Sequence, residues 1–167
     1  MSTKTTENLK AAFAGESQAY MKYMAFAEKA RKDGFRNVAR LFTGIAFAER
    51  VHALNHHQVL TGGDATVRNL DVAIGGENHE VRDMYPAFLA SAEEEGQKRA
   101  AQSMRYALEA EKIHAVMYEN AKKAVVSGQD SALGDLFVCE VCGHTVEGEA
   151  PDTCPVCSAR KEKYRQF

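Results

Sequence analysis

Two stretches decide the fold: Ala46-Phe-Ala-Glu49-Arg-Val-His52 and Leu108-Glu-Ala-Glu111-Lys-Ile-His114. On a helix, residues i and i+3 face the same side, so each Glu-x-x-His presents a carboxylate and an imidazole together. Both pairs lie on apolar stripes at spacings of three and four. One stripe reads Phe42, Ile45, Glu49, His52, His56, Val59, and the other Met104, Ala107, Glu111, His114, Tyr118, Ala121, Val125. Two further stripes are legible without a histidine: Leu9, Phe13, Glu16, Tyr20, Tyr23, Ala27, and Ile74, Glu77, Val81, Met84, Phe88. Each of the four stripes thus holds a glutamate where packing wants an apolar side chain. A buried carboxylate must be protonated, paired or metal-bound.

Breakers separate the four segments. Asp33-Gly34 ends the first, Gly62-Gly63 ends the second, Gly75-Gly76 precedes or opens the third, and Glu95-Gly96 turns into a last helix that runs to about Ser127. A bundle that supplies one Glu from each of two helices and a Glu-x-x-His from each of the other two is the ligand pattern of a dinuclear carboxylate site. The expected fold is therefore mainly α, a ferritin-like four-helix bundle. The polar stretch from about Gly62 to Val72 would span roughly 33 Å when extended and serve as its long crossover. Carboxylate and imidazole ligation with open positions suits iron or manganese, and redox use favours iron, with zinc not excluded by the residues. Gly15, beside Glu16, is expected to serve close packing or to leave room for a small ligand, and Pro86 to kink the third helix.

The four cysteines lie together as Cys139-x-x-Cys142 and Cys154-x-x-Cys157, with none in the 138 residues before them. A disulfide scaffold spreads its cysteines through the fold, whereas two such close pairs read as four thiolates around one metal, iron or zinc. The chain is expected to divide into residues 1–130, a di-iron bundle, and residues 131–167, a small domain too short to hold its own core without a metal. The setting implied is reducing and cytoplasmic. The polar opening Met1-Ser-Thr-Lys-Thr-Thr-Glu-Asn gives no leader signal. No apolar run reaches the roughly 20 residues of a membrane span. With 21 basic against 23 acidic residues, no charge footprint for nucleic acid or an anionic membrane is present. His56, His57, His79 and His144 read as ordinary polar residues, and Glu93-Glu94-Glu95 as a solvated face.

These motifs together resemble the rubrerythrin family over nearly the whole length. The resemblance rests on Ala12-Phe-Ala-Gly-Glu16, Ala46-Phe-Ala-Glu49-Arg-Val-His52, Gly76-Glu77-Asn-His-Glu80 with Met84-Tyr85-Pro86, Glu111-Lys-Ile-His114 and the two cysteine knuckles. It implies a non-haem di-iron site held by Glu16, Glu49, His52, Glu77, Glu80, Glu111 and His114. Glu80 is a surplus ligand that exchanges with His52 as the site changes oxidation state. Tyr23 and Tyr85 match neighbouring tyrosines of that site. It also implies a rubredoxin-like Fe(Cys)₄ centre on Cys139, Cys142, Cys154 and Cys157. The implied activity is reduction of hydrogen peroxide to water in oxidative-stress defence, with electrons from NAD(P)H through a separate reductase or rubredoxin-like donor. The competing readings are a ferroxidase handling iron and an oxygen-reducing oxidase. Two departures stand out: Ser158 follows Cys157 where glycine is common, and His79 replaces a common aromatic.

Glu111 lies about 16 residues before the last helix ends, roughly 24 Å along the axis. The cysteine tail is therefore expected to start far from its own chain's ligands. On that ground a head-to-tail homodimer is expected, each Fe(Cys)₄ centre serving the partner's bundle.

Overall fold

The computed structural model describes residues 3–167. Met1 and Ser2, the first two residues of the polar opening read above, lie outside them. Five α-helices are followed by a small three-stranded sheet: α1 (Thr3–Lys32), α2 (Arg36–Thr61), α3 (Thr66–His79), α4 (Tyr85–Glu94), α5 (Lys98–Val126), β1 (Leu136–Cys139), β2 (Thr145–Glu147) and β3 (Tyr164–Gln166). By packing, the chain forms two compact units, residues 1–64 and 65–167.

The first unit is the hairpin of α1 and α2. Its turn sits where the sequence places it: Gly34 takes φ +87°, a left-handed conformation open to glycine, and the Phe35 N–H closes back on the Ala30 carbonyl at 2.9 Å. Small residues fill the seam between the helices, namely Ala27, Ala30, Ala39, Ala46 and Ala53. This corrects the expected core. Ile45 and Val59, on the same stripe as Glu49, are 44% and 53% exposed. The hairpin closes on its alanines because small side chains let two helices approach closely, and the larger apolar residues flank that seam.

The second unit begins with α3, and here the sequence reading needs two corrections. The stretch expected as an extended crossover is helical from Thr66, so only residues 62–65 join α2 to α3. Gly75 and Gly76 lie inside α3 and do not open it. Pro86 does disturb the third helix, but the disturbance is a π-helical turn, Glu80–Met84, followed by α4 with proline in its first turn. A wider turn accommodates the missing proline N–H without ending the helix. Gly96, at φ +69°, then reverses the chain into α5, as expected. Helices α3 and α4 both pack on α5, with ion pairs Asp71–Lys122 at 2.5 Å and Glu93–Arg105 at 2.6 Å across the two seams.

The sheet has the order β2-β1-β3, both pairings antiparallel. Nearly all of its core is cysteine: Cys139, Cys142 and Cys154 are buried, with Tyr106 of α5, Val156 and Tyr164 packed around them. No helix of the described residues is long and apolar enough to cross a membrane.

Candidate metal centres

Three groups of side chains among the described residues are arranged to hold metal ions. In the first unit Glu16 of α1 meets Glu49 and His52 of α2, with one ligand atom from each inside 4.8 Å of the others. The turn at Gly34 sets this register: Glu16 lies 18 residues before it and Glu49 lies 15 after it. His52 Nδ1 is 3.0 Å from Glu49 Oε2. Tyr23, two turns past Glu16, packs its ring against Phe26 and Phe42 at 6.2 Å each.

In the second unit Glu77 of α3 meets Glu111 and His114 of α5 in the same way. His114 Nδ1 is 2.6 Å from Glu111 Oε2. Burial pushes the Glu77 carboxyl up to about 7, helped by its hydrogen bond with Glu111 and by the charges of Glu111 and Glu80. Glu80 opens the π-helical turn and stands outside the close trio. Burial raises it too, as does Glu111, while His79 and His114 pull it down. Burial also raises the Tyr85 hydroxyl, and Glu80, Glu111 and Glu77 add to that. Three carboxylates are thus crowded into one partly dry place with an imidazole. That is a donor set short of positive charge, and a divalent cation supplies it.

The third group is the four cysteines. The two knuckles repeat one geometry. The Cys139 N–H bonds the His144 carbonyl and the Gly143 N–H bonds the Cys139 carbonyl; the Cys154 N–H bonds the Ala159 carbonyl and the Ser158 N–H bonds the Cys154 carbonyl. Ser158, the sequence departure, takes φ +61°, the one non-glycine left-handed residue among those described, where the matching position of the first knuckle is Gly143 at φ +81°. Sulfur pairs Cys139–Cys157 and Cys142–Cys154 are 3.6 and 3.5 Å apart. The edge of a tetrahedron with metal–sulfur bonds near 2.3 Å is about 3.8 Å, so the cluster is dimensioned for one tetrahedral ion. Burial pushes the Cys142 and Cys157 thiols up. It pushes Cys154 up as well, but hydrogen bonds from the Tyr164 hydroxyl, the Cys157 and Val156 backbone and Cys142 outweigh it and bring that thiol down to about 6. Without a cation the cluster favours a single thiolate. A bound metal ionises the rest.

The expectation that this domain lies far from its own chain's ligands is not met. The nine residues 127–135 reach roughly 30 Å when extended, enough to carry the chain back along α5. Gly143 comes so close to α5 that a Cβ there would stand 3.7 Å from that of Ala110. Thr145 Oγ is 2.8 Å from His114 Nε2. Its hydroxyl proton is given to the Gly143 carbonyl at 3.0 Å, so toward His114 the oxygen accepts and Nε2 donates. That fixes the tautomer and leaves the Nδ1 lone pair for a metal beside Glu111.

Sequence reasoning missed Thr145, Tyr106, Tyr164 and His144. His144 is buried, which lowers it, and shares a 2.7 Å hydrogen bond with the Tyr164 hydroxyl. Tyr164 reaches the cysteines only through the β1–β3 pairing, in which it stands opposite Cys139. No local spacing announces that. Gly15 meets nothing within 4 Å of a built Cβ, so the close packing expected there is absent.

Carboxylate–imidazole clusters on helices, followed by a four-thiolate knuckle domain, define the class of di-iron carboxylate oxidoreductases that carry a rubredoxin-like domain. The rubrerythrin family model matches residues 7–122, and the model of the rubrerythrin rubredoxin-like domain matches residues 137–165. Rubrerythrin-2 of Clostridium acetobutylicum is 37% identical, over 98% of this chain and 96% of its own. Nigerythrin of Nitratidesulfovibrio vulgaris is 35% identical, over 98% and 86%. A solved structure of nigerythrin in a mixed-valence state matches with a TM-score of 0.56 at 35% identity, over 98% and 86%. The chain belongs to the rubrerythrin family. It carries the Glu and His groups of a di-iron carboxylate site and a four-cysteine rubredoxin-like site, as rubrerythrin and nigerythrin do.

Proposed function

We propose that this protein is a peroxidase that reduces hydrogen peroxide to water in a reducing, cytoplasmic setting, as a defence against oxidative stress, and that it works as a homodimer. In this reading residues 1–130 supply the di-iron domain and residues 131–167 the electron relay. Glu16, Glu49, His52, Glu77, Glu80, Glu111 and His114 hold the two irons, and Cys139, Cys142, Cys154 and Cys157 the third. When bound, the iron pair supplies the two electrons that, with two protons, convert one H₂O₂ to two H₂O, and the Fe(Cys)₄ centre returns electrons singly from a rubredoxin-like or NAD(P)H-linked donor.

The observation that carries the reading is the single hydroxyl between the two kinds of site. Thr145 follows the first cysteine knuckle by three residues and holds His114 at 2.8 Å. A relay domain seated on a di-iron ligand suits a reaction that consumes electrons at that ligand's metal. A ferroxidase, which discharges electrons to dioxygen, needs no such relay.

The chain's residues then divide the work. Glu111 and Glu77 bring negative charge to the metals, and Glu77 gives up its proton as they enter. Glu80 sits where the helical ladder is widened, free of the close trio, and serves as the carboxylate that follows the metal's changing charge. Tyr85 keeps its hydroxyl protonated beside these carboxylates and offers a hydrogen bond to a bound oxygen substrate.

The test is anaerobic rapid mixing of the reduced, iron-loaded protein with peroxide and, in parallel, with dioxygen, following the thiolate-to-iron absorption. Faster return of colour with peroxide, two electrons per peroxide, is expected. Equal or faster reaction with dioxygen, or a tail that holds only zinc, overturns the reading. Glu80→Ala is expected to slow peroxide turnover at least tenfold while the melting temperature moves by only a few degrees; unchanged turnover removes Glu80 from the site.

A further inference from the structure

We propose that the di-iron site is assembled from two copies of this chain: the α1–α2 hairpin of one protomer lies on α3, α4 and α5 of its partner, so that a dimer holds two complete bundles by exchange. The proposal rests on the di-iron reading above and adds where its ligands come from.

Three observations lead to it. First, each compact unit carries half of a ligand set. Glu16, Glu49 and His52 belong to residues 1–64, and Glu77, Glu111 and His114 to residues 65–167. A dinuclear carboxylate site in a bundle needs the six together. Second, the connection is too short for closure within one chain. In a ferritin-like bundle the second and third helices are joined by a crossover running the length of the bundle. Helix α2, with 26 residues, is about 39 Å long. Residues 62–65 reach at most about 14 Å. A hairpin supplied by a second copy meets no such limit. Third, the ligand-bearing faces are apolar and uncovered on the single chain. Val38, Leu41, Ile45 and Val59 share a side of α2 with Glu49 and His52, and they are 45, 64, 44 and 53% exposed. Phe88 and Tyr118, on the stripes of Glu77 and Glu111, are 48 and 39% exposed. Both faces must be buried together for the carboxylates between them to be dry, and a second copy is the one partner that brings the missing three ligands.

The helix-interior glycines agree. Gly15 stands beside Glu16, and Gly75 and Gly76 precede Glu77; a Cβ at any of them meets nothing within 4 Å on this chain. Each costs roughly 1 kcal/mol of helix stability relative to alanine. In the exchanged dimer each lies next to ligands facing the partner's hairpin.

Complementation tests this with iron content as the readout. One full-length variant carries Glu16→Gln and Glu49→Gln, and another carries Glu77→Gln and Glu111→Gln. Each is loaded anaerobically with ferrous iron, and the Fe(Cys)₄ absorption of the same sample serves as the internal standard for folded chain. Alone, neither holds iron beyond the Cys₄ ion. After co-refolding, half of the dimers are mixed and each mixed dimer has one intact site, so bundle iron is expected to return to about a quarter of the wild-type value per chain. If closure is within one chain, every site has a damaged half and the mixture stays empty, which overturns the proposal. Light scattering of the wild type provides a second measurement that needs no variant. A monomer that keeps two bundle irons per chain overturns the exchange, and loss of those irons on dilution to monomer supports it. Wild type that binds no iron beyond the Cys₄ ion overturns the di-iron reading itself, a different outcome from an empty mixture beside a loaded wild type.

Discussion

The cysteine domain and the helical hairpins hold metal by opposite means. In the first, thirty-odd residues wrap completely around four sulfurs, and the buried core consists largely of the ligands themselves. In the second, long helices make their own seams from alanine and leave the ligand-bearing faces open. One region depends on its metal for a core, whereas the other has a core and depends on something further for its metal. Local wrapping makes a site that one short segment can specify. A site spread over four helices requires the helices to be brought together, and that is a problem of assembly.

The sharpest way to break the contrast is Cys139→Ser. It removes a ligand that is 1% exposed and is expected to unfold residues 136–167, with the visible absorption lost and the helical circular dichroism nearly intact. Helices that melt along with the sheet would show that the two regions are not separate in their stability.

Next in size is Thr145→Val, which keeps the shape of the side chain and deletes the hydroxyl that fixes His114. Partners of this kind are worth about 10- to 100-fold in metal affinity. Iron titration of the bundle should show a loss in that range, with the Cys₄ iron retained. An unchanged affinity would mean that the 2.8 Å contact does not orient the imidazole.

A smaller effect is expected from pH on the metal-free chain. Glu77 is raised from 4.5 to about 7, so the folded state prefers its protonated form. A carboxyl raised on folding contributes stability that is fully present below pH 4.5 and lost as pH rises through about 7. The melting temperature of the apo chain should therefore drift down across that window, and Glu77→Gln should flatten the drift. Iron binding reverses the trend, because the metal displaces the proton.

Smallest is Ser158→Gly. Relief of a left-handed non-glycine residue is worth about 1 kcal/mol, seen as slower metal release from the cysteine site, with the bundle unaffected.

Much of this could be read along the chain because it is local. Glu49–His52 and Glu111–His114 are pairs three residues apart, the turns at Gly34, Gly62 and Gly96 need one glycine each, and Cys-x-x-Cys is a spacing. The rest depends on what meets what. The hydrophobic stripe through Ile45 gives the right face for the ligands but not for the hairpin seam, because alanine adds little to a hydrophobic pattern yet decides how closely two helices pack. Thr66 begins a helix within a polar stretch whose composition suggests a loop. Tyr164 and Thr145 reach their partners through strand pairing and a returning link, and neither leaves a trace in spacing.

The π-helical turn at Glu80–Met84 makes the third helix sensitive to length more than to composition. An extra residue in one turn rotates everything after it by about 100° relative to what comes before. Glu77 and Ala92 both face α5 only because of that offset. Removing a single residue, for example Val81, would restore an unbroken ladder of hydrogen bonds and by itself make a better helix, yet it would swing Ala92 away from its seam. In this segment a tidier helix is a worse protein, and a change in residue count would do more harm than most changes in residue type.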